Sequence, residues 1–357
     1  MSGAVMKNTT PTERCAKGLA AGFTLVEMII AAVLLAMMVF TVSTLAISGA
    51  DAAEYSRRLT RATEVTQDII DDMRLELISS VRMFGSDTEG SGNLAVFDLD
   101  DAPTPLGNLR LPTIDSSGTI RQDTVASQIT GNTLFFTRLA WSDRFVCTSS
   151  NEYMVDVVRW VYYYLTPEDG GPRAGSAVGL NLVRVVSEPL IDGGTIDRIT
   201  DPTDQSEVLL HLLEATPDAL GVTHPPCQVV WLRGGLPLVV GTFRQINPAD
   251  GTLSDTPIAS TGRAFPWMIL PRDEMVSGLM SYRHHSVATN FSRASFGVCQ
   301  FAVQSAAGDG FPHGFETQVA GPSSARQVML KLVAASTNRR GHTAWSNVQV
   351  VVDARDL

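Results

Sequence analysis

The first 84 residues carry two hydrophobic patterns in succession. From Met28 to Phe40 thirteen consecutive residues are apolar, and the apolar character continues to Ile47 with three hydroxyl residues as the only interruptions. The twenty residues from Met28 to Ile47 span roughly 30 Å as a helix, enough to cross the hydrocarbon core of a bilayer. Residues 23–50 are therefore predicted to be the transmembrane half of a helix.

From Asp51 onwards the apolar residues recur at helical spacing, with charged residues on the opposite side of the helix. Between Phe23 and Arg82 there is no proline, and Gly85 is where the amphipathic half, residues 51–84, is predicted to end. Together the halves predict one helix of about 60 residues, about 90 Å long. The predicted apolar stripe is Tyr55, Leu59, Ala62, Val65, Ile69, Met73, Leu77 and Val81, and the predicted charged face is Arg57, Arg58, Arg61, Glu64, Asp68, Asp72 and Arg74.

Residues 85–357 read as a β-rich globular domain, because β-branched and aromatic runs alternate with turn-rich segments. The amphipathic half must bury its stripe, and a sheet from this domain is the obvious cover. The predicted fold class is therefore α+β, with the long N-terminal helix packed on a mostly antiparallel β-sheet. Strands are predicted at 133–141, 153–165, 180–187, 228–232, 327–333 and 346–353, and a short helix near 206–214. Alternating strand packing is predicted for the Tyr162–Tyr164 run. Insertions are predicted at 85–131, read as a loop with short strands, and at 188–325.

Glu27 is the anomaly of the apolar helix. It lies just before the apolar run begins, and a carboxylate well inside hydrocarbon costs on the order of 2–3 kcal/mol on insertion scales. A charged residue at such a place usually has a partner. A simple anchor helix explains the apolar run but leaves this glutamate without a purpose.

The segment Gly22-Phe23-Thr24-Leu25-Val26-Glu27, followed by the apolar run, resembles the class III signal of type IV prepilins and type II secretion pseudopilins. The resemblance implies that residues 1–22 are a leader, that a prepilin peptidase cuts after Gly22, and that Phe23 is then N-methylated. It also implies that Glu27 pairs with the terminal amine of Phe23 on a neighbouring subunit and so sets the axial register. An ion pair formed only on assembly offsets the cost of burying either charge alone.

The sheet of the globular domain has a weaker resemblance, to J-type minor pseudopilins and W-type minor pilins. It rests on an aromatic-rich strand, a turn and the pattern L-x-L-V-R at residues 180–184. The implied function is that of a minor, tip-located subunit of a secretion pseudopilus or a type IV pilus, with other pilin or pseudopilin subunits as partners. Secretion, pilus assembly and DNA uptake stay open, as does tip against shaft.

An ordinary export signal is the alternative. Lys7, Arg14 and Lys17 would form its basic region, and Ser48-Gly49-Ala50 a cleavage site before Asp51. The product would be a secreted or membrane-anchored periplasmic protein, enzymes included. The apolar run is longer than the usual 7–15 residues of such a signal and begins with a carboxylate, which disfavours this interpretation. Under the prepilin interpretation the basic leader predicts a cytoplasmic N-terminus, a single pass through the inner membrane and a periplasmic or extracytoplasmic C-terminal domain that is incorporated in a filament after processing.

The net charge limits which classes of partner the protein is expected to bind. The formal net charge is −10, and removing the leader, with three basic residues and one acid, makes it −12. Binding of nucleic acid is not expected, since it would need a clustered basic face. The sequence contains no hydrolase, metalloprotease or nucleotide-binding motif. An assembly function without catalysis or cofactor is therefore predicted.

Two groups of residues leave alternatives open. In an oxidising compartment one disulfide could form among Cys147, Cys227 and Cys299, and their spacing does not choose the pair. Calcium is the second alternative, because some pseudopilins carry it. The candidate ligands lack the spacing of a calcium loop and are read as solvated turn acids. They are Asp98, Asp100 and Asp101, and Asp192, Asp197, Asp201 and Asp204.

Overall fold

A computed structural model describes residues 24–97, 99, 102–107, 109–124, 126–167, 180–213, 227–230, 243–246, 253–256, 275–276, 279–280, 284–288, 299–302, 314–337 and 343–356. The chain divides into two compact units, Met1–Tyr55 and Ser56–Leu357. A single helix, α1 (Leu25–Ile78), begins in the first unit and ends in the second. The predicted long apolar-then-amphipathic helix is thus confirmed.

The end of α1 differs from the prediction. The helix stops at Ile78, and residues 80–84, predicted as its last turn, form strand β1 (Ser80–Phe84). β1 pairs antiparallel with residues 135–138 of the sheet. Val81 continued the helical spacing of apolar residues, but backbone pairing with a neighbouring strand outweighed this weak local preference.

The remaining elements are short helices and the strands of a mostly antiparallel main sheet and of two separate two-stranded sheets, β8–β9 and β10–β11. The helices are α2 (Thr88–Val96), α3 (Gly193–Ile196) and α4 (Pro202–Leu213). The strands are β2 (Ile114–Asp115), β3 (Leu134–Val146), β4 (Glu152–Pro167), β5 (Leu180–Val186), β6 (Leu190–Asp192), β7 (Gln228–Val230), β8 (Phe243–Ile246), β9 (Leu253–Thr256), β10 (Met275–Val276), β11 (Leu279–Met280), β12 (His284–Val287), β13 (Phe315–Ala320), β14 (Arg326–Thr337) and β15 (Thr343–Ala354).

Eleven strands of the described residues form the main sheet, in the order β1-β3-β4-β5-β12-β14-β13-β2. β15 joins β14, while β6 joins β4 and β7. The parallel pairs are β13 with β2 and β6 with β7. The hairpins β4–β5 and β14–β15 follow the two predicted from sequence, and the α+β class with a mostly antiparallel sheet is confirmed. Leu236–Gly241, a further apolar stretch of the sequence, lies outside the described residues.

The sheet curls around the second half of α1. Ile69, Ile70, Met73 and Leu77 are buried in one cluster with residues from β1, β3, β4, β5, β12, β13, β14 and β15. Full burial of such a side chain contributes about 1.5–3 kcal/mol. The C-terminal residues close the curl, since the Ser80 hydroxyl donates to the carbonyl of Arg355 at 2.7 Å.

The stripe that α1 buries is wider than predicted. Ala62, Ile69, Met73 and Leu77 are buried as expected, whereas Tyr55 is exposed. Arg58, predicted on the charged face, is 4% exposed and donates to the carbonyl of Ser336 at 3.5 Å. A curled sheet surrounds more of a helix than a flat one, so a position at the margin of the stripe becomes buried.

The other face of the sheet carries an aromatic cluster. The residues from the following segment that pack on it are Leu94, Phe97, Leu99, Ala102, Leu109 and Leu111. Phe84 stacks on Phe135 with ring centroids 4.6 Å apart, and Trp160 meets Phe135 edge-on at 5.6 Å. Tyr162 and Tyr164 lie in this cluster while Tyr163 lies in the cluster with α1. The alternating packing predicted for the tyrosine run is confirmed: all three side chains are buried, and neighbours lie on opposite faces of the sheet.

Residues 85–131 contain a helix that the sequence did not predict. α2 begins after Asp87, whose carboxylate accepts from the amide of Gly90 at 2.7 Å. Its apolar residue Leu94 packs against the aromatic cluster. Glycine and serine make the intrinsic helix preference of this segment low, so the cap and the packing decide its structure.

A third apolar cluster joins α3 and α4 to the end of the β3–β4 hairpin. The predicted helix near 206–214 is confirmed as α4, which starts after Asp201: the Asp201 carboxylate accepts from the amide of Thr203 at 2.8 Å. Pro202 fits the first helical position because its missing N–H needs no partner there. The buried carboxylate of Asp204 accepts hydrogen bonds from the side chains of Ser149, Asn151 and Tyr153 of the hairpin, at 2.7, 2.8 and 2.9 Å.

The hydrogen bonds of Asp204 make the stability of the lobe formed by α3, α4 and the end of the β3–β4 hairpin depend on pH. Hydrogen bonds from Asn151 and Ser149 lower the pKa of the Asp204 carboxyl. A carboxyl with a lowered folded pKa stabilises the fold above its unfolded pKa of about 3.9, and this stabilisation is lost as the pH falls through the folded value. We expect Asp204→Asn to unfold more easily than the wild type at pH 7, with the difference disappearing in acid.

Thermal unfolding followed from pH 7 down to pH 2 measures this difference. Asp197→Asn is the matched control, because Asp197 is an exposed carboxylate of the same lobe. A wild-type advantage over Asp204→Asn that stays constant across the whole pH range would contradict the assignment.

Candidate functional site at the N-terminal helix

The start of α1 holds Glu27 in a reciprocal cap. The Glu27 carboxylate accepts from the amide of Thr24 at 2.9 Å and from its hydroxyl at 3.0 Å. In return the Thr24 hydroxyl oxygen accepts from the amide of Glu27 at 3.3 Å. This is a capping box, in which two amides left over at a helix start are satisfied by side chains three residues apart. Gly22 and Phe23, the predicted cleavage and methylation positions, lie outside the described residues.

The apolar half of α1 is exposed along its whole described length, residues 24–50. The Thr41 hydroxyl donates to the carbonyl of Met37 at 2.8 Å, and Thr44 donates to the carbonyl of Phe40. In lipid, where water cannot solvate a hydroxyl, such bonds within the helix remove most of its burial cost. α1 is long and apolar enough to span a membrane, which is compatible with a single-pass anchor.

Glu76 fastens the other end of α1 to the sheet, and sequence reasoning missed it. Its carboxylate accepts from the Tyr163 hydroxyl at 2.5 Å and from Arg184 Nε at 3.1 Å, and Arg138 lies 3.4 Å away. The cluster draws on β3, β4 and β5, so it fixes the rotation of the helix over three strands. Burial raises the pKa of Tyr163 well above its usual value, so the phenol stays protonated and keeps donating.

The three cysteines considered for a disulfide are buried thiols: Cys147 and Cys227 belong to one apolar cluster, and Cys299 lies in another. The sulfur of Cys147 lies 3.8 Å from the carbonyl of Asp204, in the first turn of α4. The amide of Cys227 donates to Leu212, near the end of α4, while Cys299 contacts Glu316. None of the three joins a disulfide in the structure. Burial raises the pKa of Cys147 to about 11 and that of Cys227 to about 12, which argues against reactive thiolates.

Two of the aspartates considered for calcium, Asp192 and Asp201, cap helices with their carboxylates. The carboxylate of Asp192 accepts from the amide of Gly194 at 3.1 Å, and Asp204, predicted to be solvated, is buried. Asp98, Asp100 and Asp101 lie outside the described residues. Within the described part of the chain no group of three His, Cys, Asp or Glu residues is arranged to hold a metal ion.

The candidate site is therefore the N-terminal segment itself, from Thr24 through the exposed apolar helix. The capping box was readable in the sequence as Thr-x-x-Glu ahead of an apolar run. It gives Glu27 a local partner that the sequence interpretation had not considered. No known protein family, curated protein or solved structure matches this chain.

Proposed function

We propose that this chain is a prepilin-like subunit that assembles through its N-terminal helix into a secretion pseudopilus or a type IV pilus. The observation that carries the proposal is the segment Gly22–Glu27 leading directly into an exposed apolar helix. A leader cut after Gly22 places the new amine of Phe23 four residues from Glu27. The partners are a prepilin peptidase, the inner membrane and other pilin or pseudopilin subunits.

The geometry of α1 supports this function physically. Its first half exposes apolar side chains all round, which suits lipid before assembly and neighbouring helices afterwards. Its second half is held by the curled sheet through Ile69, Met73 and Leu77 and by the Glu76 cluster. Such a helix anchors the globular domain firmly to a membrane or a filament core.

Glu27 has two partners at different stages in this proposal. In the isolated chain the Thr24 capping box satisfies its carboxylate. In the filament the carboxylate meets the amine of Phe23 on a neighbouring subunit and fixes the axial register. In an apolar bundle an ion pair stabilises the assembly only where both charges would otherwise be buried alone.

A minor position at the tip is the second part of the proposal. The periplasmic domain, residues 85–357 with its insertions at 85–131 and 188–325, is bulky, and bulky domains pack poorly along a shaft. Quantitative mass spectrometry of purified filaments measures the ratio of this chain to the repeated subunit. A ratio near one to one along the filament would overturn the tip assignment.

The first experiment is the N-terminal sequence and intact mass of the mature protein from membranes. We expect a chain that begins with N-methylated Phe23. A chain that begins at Asp51 would instead establish the alternative, a secreted periplasmic protein with an ordinary export signal. An uncut chain would leave a membrane-anchored protein, and both outcomes would reject prepilin processing.

A further inference from the structure

The last strand, β15, has one long side without a neighbouring strand among the described residues. There it pairs with β14 alone, over its full length and without a shift in register, from Thr343 opposite Thr337 to Ala354 opposite Arg326. In an antiparallel pair each strand directs the N–H and C=O groups of every second residue away from its partner. The other side of β15 therefore presents a row of backbone donors and acceptors.

The centre of β15 is accessible on both faces. Asn347, Gln349 and Val351 are exposed on the face that points away from α1, Val351 to 46%. On the opposite face Val348 and Val350 are only partly buried, where they pack against the cluster that contains α1. A further strand alongside β15 would complete their burial, because side chains directly opposite each other on one face of a sheet are in contact.

The usual protection of an edge strand is absent from β15. Edge strands are commonly short, bent by a bulge, interrupted by proline or rich in charge. β3 shows such protection where it extends beyond β1, since its register shifts between Leu139 and Trp141 and the carboxyl residue Asp143 is buried there. β15 has twelve residues, no shift, no proline and a single charged residue, Asp353. The uncharged stretch 347–352 has a composition that favours pairing with another chain.

We propose that this edge of β15 binds an extended segment of another protein, which adds to the sheet as an antiparallel strand along residues 347–353. The backbone groups of an open edge are matched by those of a second strand, so the edge selects an extended polypeptide. Asp353 is exposed near the end of β15, and opposite charges on neighbouring strands attract. The bound segment therefore carries a lysine or arginine opposite Asp353 and β-branched residues opposite Val348 and Val350.

A second copy of this chain is the other strand donor to consider. Two identical edges joined antiparallel are related by a twofold axis perpendicular to the sheet. The second half of α1 packs along one face of that sheet, so the axis would reverse the direction of α1 in the second copy. Copies anchored in one membrane by the same signal have α1 in the same direction. The choice of a different protein thus rests on the membrane anchor of the proposed function, whereas the open edge does not.

A synthetic heptapeptide, added to the full chain in detergent, tests the binding. It consists of one lysine followed by valine and threonine in alternation, so that in antiparallel pairing the lysine lies opposite Asp353 and the valines lie opposite Val352, Val350 and Val348. We expect saturable binding in fluorescence anisotropy of the labelled peptide. Replacing its lysine by glutamate should weaken binding about two- to fivefold.

Methylation of the peptide's backbone amides tests whether it binds as a strand. Only every second amide of an added strand faces β15. Two peptides are therefore compared, methylated at the odd or at the even positions. We expect one of them to lose binding and the other to keep it, a difference that binding through side chains alone would not produce.

A lysine on the edge tests the location. Val351→Lys should weaken binding of the peptide at least about tenfold, because a charge there opposes strand addition. Val146→Lys is the matched control, since Val146 is a valine of β3 that is 56% exposed, and it should bind like the wild type.

Several results would overturn the inference. They are a lack of saturable binding, equal binding of the two methylated peptides, and wild-type binding by Val351→Lys. Self-association of the chain that Val351→Lys abolishes would also overturn it, in favour of a second copy. Processing at Phe23 is measured without the peptide and reports separately on the proposed function.

Discussion

Replacing Glu316 by alanine is expected to lower the free energy of unfolding by about 3–5 kcal/mol, the cost of breaking a buried ion pair. The Glu316 carboxylate is fully buried on β13 and lies 2.9 Å from the ammonium of Lys331, its direct cross-strand partner on β14. Lys331 is itself 1% exposed. Without the carboxylate this buried cation loses the partner that faces it across the β13–β14 pair.

Glu316 also organises the neighbouring segment 299–302. Its carboxylate accepts from the amides of Gln300, Phe301 and Ala302 at 2.8, 2.8 and 2.9 Å, and the Cys299 sulfur lies 3.1 Å away. Orphaned buried amides each cost about 1–3 kcal/mol. The segment is therefore expected to detach from the sheet in the variant, which adds to the loss.

Denaturant unfolding of the full chain in detergent, followed by tryptophan fluorescence, measures the loss. Lys331→Met is the informative control, because it removes the cation but leaves Glu316 its three amide donors. We expect a smaller loss for Lys331→Met than for Glu316→Ala. Equal losses would show that the ion pair alone matters, and a Glu316→Ala loss below about 1 kcal/mol would contradict the burial argument.

The parts of this fold that could be predicted from the sequence were those with a periodic pattern of apolar residues. The apolar run, the stripe through Ile69, Met73 and Leu77 and the alternation in Tyr162–Tyr164 each follow from local geometry. The Glu316–Lys331 ion pair could not be predicted from the sequence, because two opposite charges fifteen positions apart can be matched only once the β13–β14 register is known. Strand register is a tertiary property that cannot be read from individual residues.

The boundary errors have the same origin. Residues 80–84 kept a helical spacing of apolar residues, yet they pair with β3 as a strand. Arg58 looked like a surface cation and is buried, because the sheet curls around α1. At the candidate site the reverse holds: the Thr24–Glu27 cap is local and readable from four residues, whereas contacts between subunits depend on chains outside the structure.

Removing the charge of Glu27 is expected to reduce incorporation into filaments by at least about a hundredfold while leaving cleavage after Gly22 intact. The magnitude follows from leaving the amine of Phe23 without its counter-charge in an apolar bundle, a loss of about 3–5 kcal/mol. Glu27→Gln is the decisive variant. Glutamine can still complete a capping box with Thr24, so the helix start is kept and only the charge is lost.

Thr24→Val is the matched control, since it removes the hydroxyl that contacts Glu27 at 3.0 Å but keeps the carboxylate. It should cost the helix start about 1 kcal/mol and reduce incorporation only slightly. The ratio of mature chain in sheared filaments to that in membranes, measured by mass spectrometry, separates the cases. If Glu27→Gln assembles normally and Thr24→Val does not, the glutamate acts as a cap and the intersubunit ion pair is wrong. If neither change matters, the helix serves export alone.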